Sequence, residues 1–159
     1  MSFLRFLMLL SLIVWLGGLI FFPVVAQTAF SVLPSRHLAG LVVGRSLNIL
    51  HWMGIISGFV FLATSLLYNR LISGAAHVFG GRHLLICIML ALTLISQFAI
   101  IPRMDTLRAA IPGEIDSVPP DNPARMQFDA LHVWSTRLEG GVLLLGLVVA
   151  YLTASSFQR

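Results

Sequence analysis

The chain has 159 residues, 58% of them hydrophobic and only 10% charged, with a mean hydropathy of +0.95. A soluble domain carries about 25% charged residues, so this chain cannot clothe itself for water and its solvent is the lipid bilayer. The net charge of +4 comes from arginine alone, and no soluble basic face or nucleic-acid motif accompanies it, which excludes nucleic acid as a partner and assigns the arginines to loops and headgroups.

A bilayer crossing takes about 20 mostly apolar residues. Four stretches qualify, at about 6–30, 47–69, 83–102 and 129–157. Backbone groups in lipid need partners within their own segment, so all four are expected to be helices. The predicted fold is all-α: an integral membrane four-helix bundle built from two helical hairpins, one domain over residues 1–159. The first stretch has a rival reading. Arg5, the apolar run and Val24-Val25-Ala26 before Gln27 resemble a signal peptide, but the run is longer than a usual signal core, so it is read as a helix. Between the third and fourth helices, residues 103–128 contain Pro112-Gly113 and Pro119-Pro120 and are predicted to form one long, irregular loop.

All six acidic residues fall between Asp105 and Glu139. The other end of the bundle holds Arg5, Arg70, Arg82 and Arg159 with no acid. Arginines are nearly balanced between the ends, so the positive-inside rule gives a weak vote, for both termini in the cytoplasm of a bacterial inner membrane. The single cysteine, Cys87, lies in an apolar run and reads as a small packing residue.

The two hairpins echo each other. Leu50-His51 opens the second helix and Leu131-His132 the fourth; a tryptophan (Trp52, Trp134) and then a glycine (Gly58, Gly140) follow each histidine. A parallel repeat of this kind puts His51 and His132 at similar depth on one side of the membrane.

Trp15-Leu16-Gly17-Gly18, Ala29-Phe30, Leu33-Pro34-Ser35-Arg36, Ala39-Gly40 and Gly44-Arg45 resemble the first hairpin of the transmembrane protein 205-like domain family, also filed as domain of unknown function 4149. Pro102-Arg103-Met104-Asp105, with Leu107-Arg108, looks like the exit from its third helix. Phe128, Leu131-His132, Ser135 and Leu138 look like the start of its fourth. The resemblance implies a small four-helix membrane protein and says little of its task; eukaryotic members are associated with tolerance of platinum drugs, a hint of transport or trafficking. The family carries a polar amide near the position of Glu139, where this chain has Glu139-Gly140. In architecture alone, the chain also resembles four-helix membrane proteins of copper resistance and of haem-dependent protoporphyrinogen oxidation.

Among the five histidines, His77 and His83 flank a short turn and read as solvated, and His37 reads as interfacial. His51, Gly54 and Gly58 share a helical face; Gly54 and Gly58 form a small-residue packing surface on which a second copy or a larger complex could dock. His132 shares a face with Glu139, and a Glu and an Arg (Arg137) this near the membrane need partners or water. The working region is therefore expected at the acidic end, from His51, His132, Arg36, Arg45, Arg103, Arg137 and Glu139. Three tasks fit such a set. The first is a polar pocket that binds a ligand or supports a complex. The second is haem b, with His51 and His132 as axial ligands to the iron and the arginines holding its propionates. The third is export of a small solute or metal, with Met53, Met104 and Met126 as scattered thioethers. No Ser-His-Asp set, phosphate loop or HExxH motif points to an enzyme.

Overall fold

The computed structural model describes residues 2–73, 81–111 and 114–156. It is all-α, in elements α1 (Ser2–Val32), α2 (Arg36–Ser73), α3 (Gly81–Ile95), a π turn (Ser96–Ile100), α4 (Ile101–Ala109), a short 3-10 turn (Ile115–Ser117) and α5 (Pro123–Ser156). Four helical stretches are long and apolar enough to cross a membrane: α1, α2, the continuous rod from Gly81 to Ala109, and α5. The chain is an integral membrane protein whose helices outrun the apolar stretches that announce them. α2 begins at Arg36, well before residue 47, and much of the expected 103–128 loop is helix, because α4 runs to Ala109 and α5 starts at Pro123. Those extensions mix charge with apolar residues, so they keep the helical period without lipid-level hydropathy.

Local sequence sets the ends. Ser35 accepts the backbone N–H of Leu38 at 3.2 Å and caps α2. Asn122 does the same for α5, its Oδ1 accepting from Ala124 at 2.9 Å, and Pro123 occupies the first helical position, where a missing N–H costs nothing.

α1 packs chiefly on α2 and α3 on α5, and contacts of α2 with α3 and of α1 with α5 close the four-sided bundle. α2 and α5 therefore face each other across its diagonal. The core is apolar around Trp15, Phe61, Met8, Ile86, Met89, Val142 and Val149. Outside, Ile13, Phe21, Ile56, Phe59, Leu84, Phe98 and Leu144 are exposed, as lipid contact requires. Two buried hydroxyls bond back to their own helices, Thr93 to the Met89 carbonyl and Ser11 to that of Met8, both at 2.9 Å, so the helices carry them at little cost.

Two expectations change here. The Gly54/Gly58 face, read as a surface for a second copy, is filled within the chain. A Cβ on Gly54 would collide with the Trp15 indole, and one on Gly58 would lie 2.6 Å from Leu90 Cδ2. The glycines admit the α1 tryptophan, and a docking partner has no access to them. His83 is not solvated: it is 4% exposed and its Nε2 lies 2.9 Å from Ser65 Oγ. Its ring stands on the inward stripe of Ile86, Leu90 and Thr93, and that stripe faces α2. His77 lies outside the described residues.

Candidate functional site

The third span changes pitch where it meets α4. The backbone N–H of Ile101 donates to the Ser96 carbonyl, five residues back, so the turn Ser96–Ile100 is a π turn. Pro102 follows directly. A proline has no N–H for the helical ladder and its ring crowds the carbonyl four residues earlier; a widened turn beside it relieves that crowding. π turns recur at functional sites because the extra residue re-aims a side chain. Here Gln97, 7% exposed, points into the bundle.

Gln97 meets His51. The imidazole is 1% exposed, and both of its ring nitrogens are engaged. Nδ1 lies 2.9 Å from Gln97 Oε1, and Nε2 lies 2.5 Å from Glu139 Oε1. An amide oxygen only accepts, so Nδ1–H donates to Gln97. Nε2 then faces a carboxylate with one proton between the two atoms, shared as imidazolium with carboxylate or as imidazole with carboxylic acid. His51 thus ties together α2, the π turn and α5 at the bundle axis, and spans the diagonal that direct helix packing leaves open.

Above this node the bundle opens. A cavity of about 680 Å³ lies at the acidic end, bounded by the end of α1 (Leu19, Phe22, Pro23, Ala26, Phe30), the start of α2, α4, residues 114–116 and the first half of α5. Pro23 leaves the Leu19 carbonyl without its usual helical donor at the cavity wall. Glu139, 15% exposed, belongs to both the cavity lining and the His51 node, so it forms the floor. Arg108 lies 3.6 Å from Asp105 and stacks its guanidinium over Phe128 at 5.1 Å. Arg125 ties the segment before α5 to that helix's first turn: it donates to the Val118 carbonyl at 2.6 Å and to the Asp116 carbonyl at 3.2 Å.

Of the residues expected to form the site, Arg36, His132 and Glu139 line this cavity and His51 lies beneath it. Arg45, Arg103 and Arg137 do not line it; all three are exposed, and Arg137 stacks on Trp134 at 5.6 Å. The repeat holds His51 and His132 at the same end but not at the same depth. His51 is level with Glu139, seven residues beyond His132, which is about 10 Å along a helix. Bis-imidazole ligation of haem needs a free lone pair on each ring facing one iron, and His51 offers none, so the residues present do not fit that group. No cluster of three or more His, Cys, Asp or Glu suited to a metal ion occurs among the described residues. The sequence reading missed Gln97, Asp105, Arg108 and Asp129 as site residues. A polar amide inside an apolar span is a signal in itself, and Gln97 stands on the inward stripe of His83, Ile86, Leu90 and Thr93; Arg108 was hidden by being assigned to a loop.

A family model described as "Domain of unknown function (DUF4149)" matches residues 10–112. No curated protein and no solved structure matches the chain.

Proposed function

Because the chain belongs to the DUF4149 family, whose description assigns no activity, we propose its task from the site: it is a non-enzymatic membrane component that binds a small ligand in the cavity at the acidic end of the bundle. The observation that carries this reading is the cavity of about 680 Å³ with Glu139, held by buried His51, at its floor. Its size is that of a small-molecule pocket, with an apolar wall from α1 and polar groups converging from α2, α4 and α5. A carboxylate and an imidazole buried in a bundle are expensive, and a ligand-binding role accounts for them. On this reading the cavity opens to the outer face of a bacterial inner membrane and both termini are cytoplasmic, in keeping with the acid-free, arginine-bearing opposite end.

Gly44 provides the test. It lines the cavity, and a Cβ there meets nothing within 4 Å. Gly44→Phe therefore puts a ring into the cavity without disturbing the bundle, and removing a helical glycine adds up to about 1 kcal/mol of helix propensity. Purified protein should bind a neutral naphthylamine fluorophore or a charged relative of it in saturable fashion, and Gly44→Phe should weaken that binding at least severalfold while keeping a melting temperature at or slightly above that of the wild type. Equal binding by both proteins, or by neither, would sink the proposal. Reporter fusions at each terminus test the orientation.

A further inference from the structure

We infer that the ligand is a hydrophobic organic cation, an ammonium or phosphonium centre on an apolar body, and that it exchanges with the proton held between His51 and Glu139. This rests on the cavity being a ligand site. Three observations lead to it.

The first is charge. The cavity wall carries the carboxylates of Asp105, Glu114, Asp116, Asp129 and Glu139 against the guanidiniums of Arg36 and Arg108. Arg125, outside the lining, approaches Asp116 and Asp129 at 4.0 and 3.9 Å; with it counted, and Glu139 set aside because the proton shared with His51 cancels its charge, four acids still face three arginines. A hydrophobic anion would meet a wall of the wrong sign.

The second is the wall itself. Phe22, Phe30 and Phe128 line the cavity, and aromatic faces attract cations most when water is excluded. Phe128 already carries the Arg108 guanidinium at 5.1 Å. α1 contributes only apolar side chains to the lining, so a cation with an apolar body finds a matching surface opposite the acids.

The third is the proton at the floor. With Nδ1–H committed to Gln97, the Nε2 to Oε1 line holds one proton. If that proton leaves, two lone pairs face each other, the bond is lost, and the Glu139 carboxylate turns to the cavity as an unpaired anion. A cation there supplies the missing charge. The exchange balances: imidazolium–carboxylate plus organic cation gives neutral imidazole, the carboxylate–cation pair, and one proton released to the water of the cavity. The groups that face Glu139 and bias this equilibrium are His51 and the more distant Arg36 and His37 from α2, and Gln97, Asp105 and Arg108 from the third span and α4. His132 and Asp129 do so from α5, and Glu114 and Asp116 from the loop between α4 and α5.

The experiment is calorimetric titration of the purified full chain with tetraphenylphosphonium, in two buffers of different ionisation enthalpy at one pH, with tetraphenylborate as the anion of equal size. Expected are saturable binding of the phosphonium, release of close to one proton per cation, and weakening that approaches tenfold per unit fall in pH. Glu139→Gln keeps a hydrogen-bond donor for His51 Nε2, so the node stays paired; it should end proton release and flatten the pH dependence. Should that variant fail to fold, the wild-type proton count still decides. Phosphonium binding without proton release, tighter binding of tetraphenylborate, or no phosphonium binding would each overturn the inference. Binding of the borate or of the neutral fluorophore in place of the phosphonium would leave the cavity reading standing; binding of none of the three would remove both.

Discussion

His51→Leu is the most informative single change. It keeps roughly the side-chain volume and deletes two hydrogen bonds at the bundle axis, at 2.9 and 2.5 Å. Hydrogen bonds between membrane helices are worth about 0.6 kcal/mol on average and up to about 1.7 kcal/mol, because the unfolded chain in lipid also finds partners. Two such bonds bring the direct loss to about 1–3 kcal/mol. Gln97, 7% exposed, is then left with a buried amide lacking its partner, and a stranded buried polar group costs about 1–3 kcal/mol. Part of this overlaps with the lost bond, so the expected total is about 2–4 kcal/mol. At about 2–4 °C per kcal/mol for a chain of this length, the melting temperature should fall by roughly 5–15 °C. Gln97→Leu alone leaves the His51 bond to Glu139 intact and should cost about 1–2 kcal/mol. The double variant should be about 1–2 kcal/mol more stable than the sum of the singles requires, since the amide stranded by the first change is gone in the second. Unfolding in mixed micelles by SDS titration, followed by the fluorescence of Trp15, Trp52 and Trp134, measures all three. A His51→Leu protein within about 0.5 kcal/mol of wild type, or strict additivity in the double variant, would refute the claim that this node holds the helices together.

Three further outcomes follow from other parts of the structure. Gly58→Leu drives a side chain into Leu90 and Trp15 and should cost about 1–3 kcal/mol by overpacking, whereas Gly17→Leu, with open space around its Cβ, should be neutral; thermal unfolding of the two separates them. Arg125→Ala removes the donor to the Asp116 and Val118 carbonyls and should speed proteolytic cleavage between residues 114 and 122 several-fold, leaving the bundle's melting temperature unchanged. Protein purified from cells supplied with haem should show no Soret band, because both His51 nitrogens are occupied; a haem band lost on changing His51 would overturn the hydrogen-bonding assignment.

The four spans were legible because hydropathy is a sum over about 20 residues and tolerates errors at any one of them. Their ends were not, since the segment from Arg36 to Leu47 is helical by period but too polar to register as lipid-facing. His51 and Glu139 could be singled out because an ionisable group inside an apolar run is costly wherever it points. The contrast between His132, which lines the cavity, and Arg137, which leans on Trp134 outside it, depends on which way α5 is rotated in the bundle. Rotation is set by packing against α3, and no residue spacing within α5 carries it. Gln97 and His83 could have been found together, by following one inward stripe along the third span from residue 83 to 97 instead of asking how apolar each neighbourhood is. The depth of His51 relative to His132 was misjudged because the similarity of the two hairpins was taken as geometric symmetry.

The π turn has a consequence for descent. A turn closed by a bond to the fifth residue back contains one residue more than an ordinary helical turn. Everything on the rod after Ile100 is therefore rotated by about 100° from where an unbroken helix would carry it. A relative one residue shorter between Ile95 and Pro102 could not present both Gln97 to His51 and Arg108 to Phe128. The spacing of this short segment, more than the identity of any one side chain in it, separates relatives able to build the same chamber from those sharing only the scaffold.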